Sequence, residues 1–232
     1  AFELLTKSLP FSVIGKHTDR QDQLESLLYG QAGMLNGKLK DDYPVALNRE
    51  YRFLKEKYKL KPIEPKVWKF LRMRPFNFPS VRISQFAGLL HASSGLLTRI
   101  LEHNNLNDLY DLFSIEASEY WHDHSRFDKK SKPKSVKLGI SSVDLILINT
   151  VIPFSFIYGK LFRKEEMQDK ALLWYEKIKP EKNHVTRDFL SLGLQIANAK
   201  QSQAVLQLKN NYCDKKRCLD CRFGHLLISG KT

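Results

Sequence analysis

With 232 residues, 42% of them hydrophobic and 27% charged, the chain is long enough to bury a sizeable core and reads as a soluble globular protein. Its 38 Lys+Arg against 25 Asp+Glu leave a net charge of +13, which favours an acidic partner, DNA or RNA before an anionic membrane or an acidic protein. The three cysteines are odd in number and confined to Cys213–Cys221, which excludes a disulfide framework and places the chain in a reducing compartment, the cytoplasm.

Along the chain the apolar spacing is helical almost throughout. Phe2, Leu4 and Leu5 predict a short helix before Pro10, and Phe11, Val13 and Ile14 a further apolar turn. Asp19 is the expected cap of a helix carrying Leu24, Leu27 and Leu28, with Gly30 or Gly33 ending it. Asp42 and Pro44 mark the start of a long helix with Leu47, Tyr51, Leu54 and Tyr58 on one face. Pro79 or Ser80 starts the next, whose buried side is Val81, Ile83, Phe86, Leu89 and Leu90. Ser94, Asn107, Asn183 and Ser202 are the expected caps of four later helices.

Lys129–Lys137 holds five lysines in nine residues and reads as an exposed flexible loop and an internal boundary. The division is then an N-terminal helical subdomain over 1–128 and a C-terminal one over 138–232, with one continuous domain as the alternative. The most apolar run, Val143–Tyr158, is interrupted by Asp144, Asn149, Pro153 and Ser155, so it predicts a central helix kinked at Pro153 and no membrane partner. The fold class is all-α, a multi-helix orthogonal or paired-helix array with a short Cys-containing tail. The chain begins at Ala1, without methionine, and is read as a piece of a longer protein.

Three constellations carry chemistry. In the first, around Trp68–Leu90, the cations Lys66, Lys69, Arg72, Arg74 and Arg82 are interleaved with Trp68, Phe70, Phe76 and Phe78 around a rigid elbow made by Pro75 and Pro79. Guanidinium forks grip phosphate or carboxylate, and aromatics beside them stack bases. The plainer reading is that the arginines pair with neighbours and fix the elbow while the aromatics belong to the core.

The second is His122, Asp123, His124, Arg126 and Asp128, which offers an acid–base pair, metal ligands or, through Arg126, another phosphate contact. Two histidines two apart share no helical face, so the plainer reading is a helix end where Tyr120, Trp121 and Phe127 pack and the polar groups cap and pair. The third is the tail, Cys213-x4-Cys218-x2-Cys221-x3-His225. Four such ligands suit tetrahedral zinc; an iron–sulfur cluster would need a non-cysteine ligand, and reduced thiols in a short turn need no metal. No P-loop, dinucleotide fingerprint, nucleophile elbow or HExxH is present, so no catalytic residue is assigned.

The stretches LYGQAGML, LNREYRFLKEKYKLKP, WKFLRMRPFNFPSVRISQFAGLLH, YWHDHSRFD, LGISSVDLILINTVIPFSFIYG and QLKNNYCDKKRCLDCRFG resemble the carboxy-terminal half of the uncharacterised bacterial family DUF2851. The resemblance brings no established activity. It implies an upstream half, in the same polypeptide, similar to restriction-endonuclease-like nucleases, with this chain as its accessory helical module binding nucleic acid. The alternative is a helical scaffold or protein-interaction domain with no nucleic-acid role. The resemblance covers the tail cysteines but supplies no counterpart for His225.

Overall fold

The computed structural model describes residues 1–71, 73, 74, 77–93 and 95–230, except the side chain of Leu227. Arg72, Pro75, Phe76 and Ser94, all named above, lie outside the described residues. Among the described residues the chain is all-α apart from one small antiparallel pair, and it forms two compact units, Ala1–Gly139 and Ile140–Thr232.

The first unit holds α1 (Phe2–Ser8), α2 (Phe11–Ile14), α3 (Gln21–Gln31), α4 (Asp42–Tyr58), α5 (Pro79–Ala92), α6 (Leu96–Glu102) and α7 (Leu106–Leu112). Helix α3 is its centre and packs on both α4 and α5. Leu24, Leu27, Leu28 and Tyr29 are all buried, so a wide stripe of this helix faces apolar neighbours. Gly30 lets α4 come close, since a Cβ there would run into the Tyr51 ring. The contact is sealed beside it: the Tyr51 hydroxyl donates to Gln31 Oε1 at 3.1 Å, and Gln31 Nε2 donates to the carbonyls of Ser8 and Lys61.

Helix α4 begins at Asp42, with Asp41 rather than Asp42 at its cap, and buries Leu47, Tyr51 and Leu54 on the predicted face. Lys59 ends it in the left-handed conformation at φ 52°. Helix α5 opens with Pro79 at its first position, where the missing N–H costs nothing. Arg20, not Asp19, occupies the cap of α3; Gly95 that of α6; and Asn105, not Asn107, caps α7 by accepting the Asn107 N–H at 3.1 Å.

After a 3-10 turn, Glu119–His122, the strands β1 (His124–Arg126) and β2 (Lys129–Lys130) pair in an irregular hairpin. Asp128 in its turn is left-handed, φ 57°, a conformation that aspartate tolerates better than most residues. The lysine-rich segment that follows packs within this unit. Val136 is buried in the core, its carbonyl accepts from Gln85 Nε2, and Lys134 Nζ donates to the His124 carbonyl at 2.6 Å. Burial lowers the Lys134 pKa despite the raising effect of Asp123.

The second unit holds α8 (Ile140–Ile146), a π-helical turn (Leu147–Val151), α9 (Ile152–Leu161), α10 (Glu165–Lys177), α11 (His184–Ser191), α12 (Ala199–Leu208), a second π-helical turn (Lys209–Cys213) and α13 (Arg222–Ser229). Helices α9 and α10 pack together, and α12 packs on α10 and α11. Asn183 forms a capping box with Thr186 at the start of α11. Asn198, not Ser202, caps α12; Ser202 is inside the helix and buried.

From Ile140 to Leu161 the chain is one continuous helix of 22 residues, long and apolar enough to cross a membrane by length and composition, with only a third of its most apolar window buried. The polar residues that interrupt Val143–Tyr158 in the sequence thus do not break the helix. The polar interruptions are absorbed by the helix itself: Ser155 Oγ donates to the Val151 carbonyl and Asn149 Nδ2 to that of Leu145. In place of a simple kink, Pro153 follows a π turn in which the Ile152 N–H reaches back to the Leu147 carbonyl.

Candidate functional site

The loop Glu119–Asp128 is held from below by aromatic packing. Trp121 is fully buried, its ring centroid 5.7 Å from that of Tyr29 and 5.2 Å from that of Phe127. Tyr120 stacks on Tyr43 at 4.5 Å and on His124 at 3.9 Å. Its hydroxyl donates to Asp41 Oδ2 at 2.6 Å and accepts the Asp128 N–H, and burial, with Asp41 second, raises its pKa.

The Asp128 carboxylate accepts the N–H groups of Lys40 and Asp41, tying the hairpin to the start of α4. His124 is buried. Its Nδ1 faces two acceptors, the Tyr120 carbonyl at 2.9 Å and Asp123 Oδ1 at 2.5 Å, which places the proton there. Its Nε2 lies 3.4 Å from Asp41 Oδ2 without forming a hydrogen bond. His122 is exposed and faces Glu116 at 3.3 Å. The two histidines therefore serve different neighbours and make no acid–base pair. The segment is a 3-10 turn and a short strand, not the helix end expected, although the packing roles of Tyr120, Trp121 and Phe127 are as read.

Arg126 projects from β1 over the elbow. Its guanidinium carbon is 4.3 Å from the centroid of the Phe70 ring and 5.6 Å from that of Phe78, and these two rings meet edge to face at 5.2 Å. Among the described residues Arg126 makes no ion pair and its guanidinium no hydrogen bond. It lines a cavity of about 350 Å³ whose other walls include Lys38, Trp68, Phe70, Phe127 and Asp128. Trp68 is fixed there by its indole N–H, which donates to the Ala32 carbonyl at 2.8 Å.

The other cations named from the sequence are not all gathered at this cavity. Arg82 is structural: it donates to Asn77 Oδ1 at 2.6 Å and to Gln85 Oε1 at 2.9 Å, bracing the elbow against α5, and burial lowers its pKa. Lys66 is exposed and pairs with Glu64 at 2.5 Å. Lys69 and Arg74 are exposed on the same segment, and Arg72 is outside the described residues.

Sequence reasoning overlooked a second feature, a buried carboxyl network under the loop. Glu25 on α3 accepts from Ser84 at 2.5 Å and from Tyr43 at 2.8 Å, and Ser118 joins both partners. Burial raises the Glu25 pKa although these hydrogen bonds oppose it. The signal was legible: Glu25 shares a helical face with Leu28 and Tyr29, where a lone carboxyl needs partners.

In the tail, Cys213 closes the second π turn and Cys221 stands at the cap of α13. Cys213 and Cys218 are exposed and Cys221 is buried, and all three line one largely apolar cavity of about 630 Å³. Among the described residues no group of three or more His, Cys, Asp or Glu is placed to hold a metal ion. The three cysteines thus share a cavity, but with His225 they do not form the tetrahedral set that their spacing offers, and no chemistry is derived through zinc or an iron–sulfur cluster.

A helical protein with a basic, aromatic-walled cleft in its first unit is the class these features define. The chain belongs to the DUF2851 family, proteins of unknown function, whose family model matches residues 1–184. The matched stretch includes the elbow, the Glu119–Asp128 loop and the long apolar helix; the cysteine tail lies beyond it. Neither a curated protein nor a solved structure matches the chain.

Proposed function

We propose that this chain is a nucleic-acid-binding helical module acting in the cytoplasm beside a nuclease-like domain of the same polypeptide, with no role in a membrane. One observation carries the reading. Arg126 is a half-buried guanidinium laid over two phenyl rings, without an anionic partner among the described residues, in a chain of net charge +13. A guanidinium already held over aromatic rings meets a phosphate with little further ordering. Lys69 and Arg74, exposed on the segment that carries Phe70, extend the positive surface.

The test is binding of labelled single- and double-stranded DNA and RNA to the full chain across a salt series. Binding should weaken steeply with salt, and replacing Arg74 and Arg126 together by alanine should flatten the log–log slope by about 1–2. An unchanged slope and affinity would remove these two residues from the interface.

The protein-interaction reading has support of its own in the second unit. Leu145, Ile157, Leu161 and Phe162 are each about half exposed or more, a surface suited to another protein. Failure to bind any nucleic acid at low salt, with a salt-insensitive oligomer or partner, would favour it.

A further inference from the structure

We infer that the Arg126 cavity receives one unpaired nucleobase, so that the module recognises single-stranded nucleic acid in preference to duplex. The inference rests on the nucleic-acid reading above and names its substrate.

Size is the first ground. The cavity, about 350 Å³, sits at the small end of the ~300–1,000 Å³ range of ligand pockets. That accommodates a single nucleotide unit. A base paired within a duplex cannot enter such a space unless it leaves the stack.

Chemistry is the second. The Arg126 guanidinium carbon lies over the Phe70 ring at 4.3 Å, and a guanidinium held among aromatic rings is itself a platform on which a base stacks. The remaining walls divide as a nucleotide does. Trp68, Phe70 and Phe127 supply aromatic surface, while Lys38, exposed and without an ion pair among the described residues, lies on the same cavity for the phosphate. The Asp128 carboxylate, already oriented by the Lys40 and Asp41 N–H groups, keeps acceptor capacity for a base N–H or a sugar hydroxyl.

Third, the frame is rigid where it needs to be. Asp128 is tied to α4, the Trp68 indole to Ala32, and Ser80 Oγ donates to the Ser125 carbonyl, holding α5 to β1. Little of the site has to be ordered when a base arrives.

The experiment compares binding of the full chain to a short oligothymidylate, an abasic oligomer of equal length and a duplex, at one salt concentration and then across a salt series. The same set is run on Arg126→Gln and Arg126→Lys. The second variant keeps the charge and loses the planar fork, so it separates stacking from simple attraction, and the circular dichroism of each variant checks its fold.

The expected result is affinity roughly tenfold higher for the oligothymidylate than for the abasic oligomer, with the duplex also weaker. Arg126→Lys should erase the difference while leaving the salt slope in place. Salt-dependent binding that is equal for all three probes, or a base preference that survives both variants, would overturn this assignment and leave the nucleic-acid reading standing. No binding of any probe at low salt would overturn both.

Discussion

In the first unit, buried polar groups join segments far apart in the chain. Tyr29 donates to the Ser80 carbonyl, Ser84 to Glu25, Gln85 to the Val136 carbonyl and Gln31 to the carbonyls of Ser8 and Lys61. In the second unit the hydroxyls of Ser155, Thr186 and Ser202 close on their own helical turns, at Val151, Asn183 and Ala199, while Tyr175 to the Ile148 carbonyl and Glu181 N–H to Ser202 are its longer links. A buried polar group without its partner costs more than a satisfied one contributes. The first unit therefore has few alternative packings among its described residues, and its Glu119–Asp128 loop is tied down by side chains as its helices are. The second is specified by apolar contact and by caps, and it leaves much apolar surface exposed.

Substitutions at three residues break or sharpen this comparison. The largest effect is expected for Trp121→Ala, which empties a fully buried site among Tyr29, Tyr120 and Phe127. It should cost about 3–5 kcal/mol in a urea unfolding curve and remove the floor of the Arg126 loop. A loss under about 1 kcal/mol would mean that the loop is not held by its ring.

Next comes Glu25. Glu25→Ala should cost about 1–3 kcal/mol, since the hydroxyls of Ser84 and Tyr43 lose their acceptor. The pH dependence has a definite sign. Burial raises the carboxyl pKa, so the folded protein keeps the Glu25 proton at pH values where the unfolded chain has released it. This group's contribution is full below the ordinary carboxylate pKa and is lost as pH rises through the raised value. Glu25→Gln, compared with the unsubstituted protein in urea at a series of pH values, should gain relative stability across that window. A constant difference over the whole series would contradict the shift.

The smallest effect belongs to the second unit. Asn183→Ala removes the capping box of α11 and should cost about 1 kcal/mol by thermal unfolding. No change would show that α11 is held by its apolar contacts alone.

Much of the helical framework was legible in the sequence. Helices α4 and α5 begin at Asp42 and Pro79 because acid or proline at a helix start acts through local geometry that any single sequence displays. Caps were less legible where two polar residues stood near the boundary. Asn105 and Asn107, or Asn198 and Ser202, are alike in type and differ only in whether the backbone is already helical, which neighbours decide. The strands of three and two residues are too short for alternation to register.

At the candidate site, the sequence supplied Arg126 and the elbow aromatics but not their pairing. Phe70 and Arg126 are far apart in the chain and meet only through tertiary packing. It likewise grouped Arg82 with the surface cations, whereas its amide partners Asn77 and Gln85 make it a brace. In the tail, spacing alone could not show that Cys213 ends one helical turn while Cys221 begins another.

The π turn between α8 and α9 has an effect on direction. It inserts one additional residue into the helical winding, so positions beyond Val151 are rotated by about 100° from where an uninterrupted α-helix would carry them. The apolar stripe of Ile140–Leu161 is consequently two stripes with a phase jump between them. A single helical wheel drawn through both would smear them into a helix apolar all round, and deleting one residue from Leu147–Val151 would turn the Ile157 side towards a different neighbour without changing its composition.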